Sequence, residues 1–303
     1  GEKMNRRDFM KSALITGAAI SLPAGLDPIL TALQAAQGPD LAVVRGTPPA
    51  RITRAAVDAL GGMRRFVSRG DVVVVKPNIG WDRTPEYAAN TNPEVVAAVV
   101  RLCLEAGAKR VKVFDHPVSD ARRTYKQSGI ADAAAAAGAA VAFVDDRKFK
   151  DMRINGLTLK TWPLYTEVIE ADKVINVPIA KTHGIARLTL GMKNWMGVMG
   201  GWRGRIHQRI DESLVDLARF IKPALTILDA VRILTANGPQ GGDIADVKLL
   251  NTVVAGTDAV AVDAFGATLF GMKPADLGCV RIGHQARLGS MDLAGMQIRR
   301  INL

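Results

Sequence analysis

Cysteine is scarce in this chain, with two residues, Cys103 and Cys279, in 303. They sit in helix-like contexts, RLCLEAG and DLGCVRIG, and form no C-x-x-C pair. The chain alone therefore cannot supply the four thiolates of an iron–sulfur cluster or a structural zinc site. One disulfide between them is a possible reading, and buried free thiols are the commoner one. The phosphate-gripping pattern G-x-x-x-x-G-K-[ST] is missing, and no G-x-G-x-x-G follows the first strand, so no nucleotide cofactor is indicated and the cofactor is left unknown. Histidines number four, without the H-x-x-x-H spacing that sets two ligands on one helix face. A mixed set drawn from His116, His183 and His207 with Asp115, Asp229 or Asp243 is the most a metal is offered, and none is expected. No basic stripe interleaved with aromatics appears, which excludes nucleic acid as an expected partner.

What the chain does have is apolar bulk and positive charge. Hydrophobic residues make up 48%, enough for a packed core, and 40 Lys and Arg against 29 Asp and Glu leave a net charge of +11. Such an excess favours anionic partners. Part of it sits at the N-terminus, where NRRDFMK places two arginines ahead of the apolar run SALITGAAISL. This resembles a twin-arginine export signal. The run from Ser12 to Leu22 is 11 residues, against the roughly 20 a membrane-spanning helix needs. Residues 1–36 are accordingly read as a signal segment engaging the twin-arginine export machinery, with an extracytoplasmic, periplasmic destination and no clean cleavage site. Residues 37–303 are read as a single domain.

Strand candidates alternate with helical patterns along that domain. LAVVRG, VVVVKP, VKVFD, VAFVDD, KVINVP, LTILDA and NTVVAG begin at Leu41, Val72, Val111, Val141, Lys173, Leu225 and Asn251, and MQIRRINL could add an edge strand. Between them run ITRAAVDALGGMRRFV, PEVVAAVVRLCLEAG, ADAAAAAGAA, ESLVDLARFIK and TDAVAVDAFGATLFG. This order predicts a three-layer α/β protein, a mostly parallel twisted sheet with helices on both faces. FKDMRINGLTLKT reads as a small hairpin turning at Asn155 and Gly156. Asp258 is placed to cap the helix after Gly256, and Asp263, if buried, would need a partner such as Lys193 or Arg203.

The densest group of polar residues is KTHGIARLTLGMKNWMGVMGGWRGRIHQ, from Lys181 to Gln208. It follows KVINVP, and ligands of open parallel sheets bind beyond the carboxyl ends of strands. Its bland alternative is a solvated KTH loop, then an amphipathic helix burying Leu188, Met192, Trp195 and Met199, with arginines on a basic surface. Other strand ends also carry polar residues: Lys76, Pro77 and Asn78; Asp115 and His116; Asp229; and the loop TANGPQGGD. In a parallel sheet these share one rim with KTH.

In family order, GDVVVVKPNIG with TNPEVV, AGAKRVKVFD, VINVPIAKTHGIARLTLGMKNWMGV, RGRIHQ to KPALTILDA, NGPQGGD and AGTDAVAVDAFGATLFG resemble the domain of unknown function 362 family. The resemblance implies that Lys76, Asn78, Asp115, Lys181, His183, Lys193, Asn194, His207, Asp229 and Asn237 line the site. Some members are fused to ferredoxin-like modules; this chain lacks their cluster-binding cysteines. The expected ligand is a small anion. Lys181, Lys193 and Arg203 would neutralise it, Asn78 and Asn194 would orient it, and His183, His207 and Lys193 are the catalytic candidates. The competing expectation is a non-catalytic accessory subunit or maturation factor of a periplasmic redox complex.

Overall fold

The computed structural model describes residues 38–303, so the expected signal segment and its paired arginines lie outside the described residues. Twelve strands are present there: β1 (Leu41–Arg45), β2 (Val72–Pro77), β3 (Arg110–Val113), β4 (Ala140–Val141), β5 (Phe149–Arg153), β6 (Thr161–Tyr165), β7 (Lys173–Val177), β8 (Ile179–His183), β9 (Arg187–Thr189), β10 (Leu225–Leu234), β11 (Val247–Gly256) and β12 (Ile298–Asn302). The helices that matter to the site and the core are α1 (Pro49–Ala59), α2 (Pro93–Glu105), α3 (Ile130–Ala136), α4 (Ile210–Ile221), α5 (Ala259–Thr268) and α6 (Gly278–Gln285).

The main sheet runs β12-β1-β11-β10-β7-β2-β3-β4, with β8 attached to β10 and β9 to β8. Pairing is parallel across β10-β7-β2-β3-β4, β12-β1 and β8-β10, and antiparallel at β1-β11, β10-β11 and β8-β9. The sheet is thus mostly parallel, as its near-continuous apolar strands require. Side-chain alternation divides the core into two layers. Val73, Val75, Ile175, Ile227 and Val253 face α1, α2 and α3, while Val74, Leu228, Ala230 and Val254 face α4, α5 and α6. Successive residues of one strand therefore feed opposite cores, and helices cover both faces. Cys103 and Cys279 are both buried and free, one in each layer. Residues 39–303 form one compact unit. Among the described residues no helix is long and apolar enough to cross a membrane.

Two carboxylates, the half-buried Asp258 and the buried Asp216, organise the chain's local turns. Asp258 caps α5 by accepting from Ala261 N at 2.9 Å. Asp216, on α4, accepts from the amides of Leu157, Thr158 and Leu159 at 2.6–2.9 Å. The small sheet β5-β6 is antiparallel, and its connection from Ile154 to Lys160 is longer than a tight turn. Asn155 still supplies the left-handed residue at φ 52°, while Gly156 stands so near the Asp216 carboxylate that any Cβ would collide with it. Removing Asp216 strands three amides in a partly buried loop. Asp216→Ala is expected to lower unfolding free energy by about 3 kcal/mol, read by urea denaturation; a loss under about 1 kcal/mol would mean the loop is not held this way.

Candidate functional site

β7 ends before Pro178, whose carbonyl accepts from Asp229 N at 2.8 Å, and the following KTH is not a loop. Lys181, Thr182 and His183 pair with Thr189, Leu188 and Arg187 as the hairpin β8-β9. The residues from Lys193 to Val198 form a short 3-10 helix instead of an amphipathic α-helix. Its entry is fixed by Asp263, whose carboxylate accepts from Gly191 N at 2.6 Å and Met192 N at 2.9 Å. The partners of this buried carboxylate are thus backbone amides, not the Lys193 or Arg203 expected from sequence. Burial pushes Asp263 up to about 7 against the pull of those amides.

Beneath the rim lies a buried ion pair. Lys76 Nζ, at the end of β2, stands 2.8 Å from Asp115 Oδ1, just past β3, and both side chains are almost wholly shielded from solvent. Asp115 also accepts from Ile79 N at 2.6 Å and His116 N at 2.9 Å. Lys76 donates to the Asn194 carbonyl and to its Oδ1 at 2.6 and 2.9 Å. Asn194 Oδ1 takes a second bond from Asn78 Nδ2 at 3.2 Å, and its amide nitrogen donates to Lys76 O and Asn176 Oδ1. Asn78 Oδ1 in turn accepts from Lys181 Nζ at 3.0 Å. Burial lowers Lys76 from the usual lysine range, opposed by Asp115. Gly197 packs directly on this pair, where a Cβ would overlap both Asp115 Oδ1 and Lys76 Nζ.

Above the pair is a cavity of about 290 Å³. Its wall contains Lys181, Lys193 and Arg203 but only one carboxylate, Asp115, which Lys76 already engages. Lys181 donates to Ala89 O at 2.5 Å, Lys193 to Met196 Sδ at 3.3 Å, and Arg203 to the carbonyls of His116 and Pro117. None of the three forms an ion pair among the described residues. Burial, with repulsion from neighbouring cations, holds Lys181 well below its usual range and Lys193 at about 8. Burial also lowers Arg203. Thr189 adds a buried hydroxyl with no hydrogen-bond partner.

Three histidines line the cavity, and two of them, His183 and His207, have different capacities. His183 Nδ1 accepts from Ile185 N and Ala186 N, both at 3.1 Å. A ring accepting at Nδ1 carries its proton on Nε2. Burial, then repulsion from Lys193, pushes His183 down to about 3. At neutral pH it is a hydrogen-bond donor and not the acid–base group expected. His207 lies stacked on it, ring centroids 5.8 Å apart. Its Nδ1 is 2.9 Å from Gly204 O, an acceptor that fixes the proton there and leaves Nε2 with a free lone pair.

Eight of the expected residues therefore meet at one cavity: Asn78, Asp115, Lys181, His183, Lys193, Asn194, Arg203 and His207. Lys76 is completely buried below it, and Asn194 has no spare hydrogen bond with which to orient a ligand. Two expectations are corrected. Asp229 sits midway along the ten-residue β10 and accepts from Asn92 N and Val231 N at 2.7 and 2.9 Å, serving the entry to α2. Burial raises it to about 6. The strand continues past the point where polar sequence suggested an end, with a register shift between Ala230 and Arg232. Asn237 is exposed and donates to Asp246. His116, Asp229 and Asp243 do not join the other two histidines in a ligand set; among the described residues no three His, Cys, Asp or Glu side chains converge in that way. Thr189, Met196, Gly197 and Trp81 also line the cavity. Only Gly197 carried a signal, as a glycine within an apolar run.

Breaking one half of the buried pair should be costly. Lys76→Met is expected to lower unfolding free energy by about 3–5 kcal/mol, and Lys76→Met combined with Asp115→Asn by less than the two single losses added. Additive losses in chemical denaturation would show that the pair is not coupled.

The pattern of the domain of unknown function 362 matches residues 73–268, which include every expected site residue. A thylakoid-associated protein of Synechocystis is 32% identical over 251 residues, covering 78% of this chain and 74% of that protein. Among solved structures, the lactate racemase apoprotein of Thermoanaerobacterium thermosaccharolyticum aligns with TM-score 0.47 at 11% identity, over 75% of this chain and 56% of that one. A Thermotoga maritima protein aligns with TM-score 0.46 at 13% identity, over 75% and 60%. This chain thus spans less than two thirds of either solved structure. It belongs to the domain of unknown function 362 family.

Proposed function

We propose that this protein binds a small anionic metabolite in the cavity above the Lys76–Asp115 pair and moves a proton on it. The supporting observation is the charge imbalance of the wall: Lys181, Lys193 and Arg203 converge on about 290 Å³ with no carboxylate left to answer them. Cations held out of water without counter-ions are costly, and a bound carboxylate or phosphate offsets that cost. Lys181 and Arg203 take the ligand's oxygens, and the Nε2–H of His183 and the Thr189 hydroxyl add neutral donors. His207 Nε2 serves as the base, and Lys193, at about 8, exchanges protons near working pH. The partner class is a small carboxylate or phosphate.

For location, the arginine pair ahead of an apolar run supports export in the folded state, and the description of the Synechocystis relative as thylakoid-associated supports a place beside a membrane. The second reading, a non-catalytic accessory subunit of a redox complex, draws on apolar side chains at the cavity mouth. Val118 and Ile185 are 62% and 61% exposed and line it.

Acetate, malonate, phosphate and sulfate screened by thermal shift should include at least one that raises Tm, and Lys181→Met should abolish the rise. A flat response to every anion would sink the proposal and favour the accessory role. Only the ammonium form of Lys193 attracts an anion, so affinity should be full below pH 8 and decline as pH rises through about 8. Calorimetry at pH 7 and pH 9 reads this; Lys193→Gln should flatten the profile, and an unchanged decline in that variant would remove Lys193 from the site.

A further inference from the structure

The 3-10 segment Arg203–Arg209 has two working sides. Arg203 and His207 face the cavity described above, while Arg205, Gln208 and Arg209 border a second cavity of about 300 Å³. The opposite wall of that second cavity is the strip Thr158–Trp162, and Ser213 of α4 closes it.

Two observations set this cleft apart from an ordinary surface hollow. Five buried side-chain polar atoms among the described residues lack a hydrogen-bond partner, and two of them, Thr158 Oγ1 and Ser213 Oγ, belong to this one wall. Ser213 is completely buried. Hydroxyls left unpaired in this way are rare in folded proteins, and both residues line the second cavity. The second observation is the charge of the lining. Lys160 and Arg205 have no carboxylate partner among the described residues; Lys160 donates only to Gly156 O at 2.6 Å. Arg209 is shared with Glu212 at 3.0 Å. The remaining nearby acids are occupied elsewhere, Asp216 by the amides of Leu157 to Leu159 and Asp211 by Cys279 N. The indole N–H of Trp162 is already given to Gly200 O, so the ring contributes a flat apolar surface.

We propose that this cleft is a second anion site, distinct from the first, which takes a phosphoryl group. Two hydroxyls, an ammonium and the guanidinium of Arg205 together present several donors to one anion, and they suit the three terminal oxygens of a phosphate ester. The ester's organic part lies against Trp162. Because Arg203–Arg209 forms part of both cavities, a ligand that fixes its outer side also fixes the position of His207 on its inner side. The same phosphoryl chemistry is presented by a soluble ester and by a lipid headgroup.

The test uses the full chain in two arms. Calorimetry with pyrophosphate reads soluble phosphate, and cosedimentation with phosphatidylcholine vesicles carrying phosphatidic acid reads a headgroup. Binding is expected in at least one arm; the calorimetric arm identifies a soluble ligand, and binding confined to vesicles identifies a lipid. Arg205→Gln combined with Ser213→Ala should weaken it at least tenfold. Both positions tolerate change, since Arg205 is exposed and Ser213→Ala removes a hydroxyl that has no partner. The first cavity is itself proposed to take phosphate, so these comparisons are made in the Lys181→Met background, which disables it and should leave binding at the cleft intact. Absence of binding in both arms, or a loss that follows Lys181→Met, overturns the proposal. A failure of the first cavity to bind anions leaves the result of this test unaffected.

Discussion

The site depends on one ion pair buried between two strand ends. Lys76 and Asp115 stand 2.8 Å apart under the rim, in a place where neither charge could persist alone. Their mutual attraction is supplemented by Ile79 N and His116 N on the acid and by Asn194 on the base. Part of the layer above the pair is positioned from it. Asn194 ties the 3-10 helix Lys193–Val198 to β2, Asn78 passes the network to Lys181, and Gly197 gives the clearance that lets the helix settle on top.

This network satisfies its own members and leaves the layer above them unsatisfied. Asn194 uses both of its amide atoms internally, so it is part of the frame. Lys181, Lys193 and Arg203 are held against carbonyls or a thioether, contacts that position a cation without cancelling its charge. The rigid polar floor therefore carries a layer of basic side chains that no carboxylate pairs with among the described residues. The two histidines show how local hydrogen bonds divide chemical roles. Backbone donors at Nδ1 place the proton of the neutral His183 ring on Nε2, and a backbone acceptor at Nδ1 leaves His207 with its lone pair on the other nitrogen.

Buried carboxylates elsewhere act as structural fasteners. Asp263 holds the turn Gly191–Met192, Asp216 holds the loop from Leu157 to Leu159, and Asp229 holds the approach to α2, each through backbone amides. Backbone donors stabilise a carboxylate without adding a mobile counter-charge, which frees the lysines and arginine of the rim from pairing. Burial still raises Asp229 and Asp263, to about 6 and about 7. Folding then favours their protonated forms, so their contribution to stability diminishes as pH rises from about 4 towards about 7.

By itself the sequence determined the layered α/β fold and most of the rim. Continuous apolar strands such as VVVVKP report burial on both faces, and proline, asparagine and aspartate mark where those strands stop. That local signal is why Asn78, Asp115 and Lys181 could be assigned to one edge. Tertiary structure alone decided which polar residues face the cavity and which are consumed beneath it or elsewhere. Asp229 looks like a strand-end acid in one dimension, but β10 continues past it and its carboxylate turns to Asn92 N. Asp263 looks like a partner for lysine and is taken by two amides. The direction of a hydrogen bond, and the tautomer it imposes on His183 and His207, depends on backbone groups brought together by folding, and no spacing along the chain encodes it.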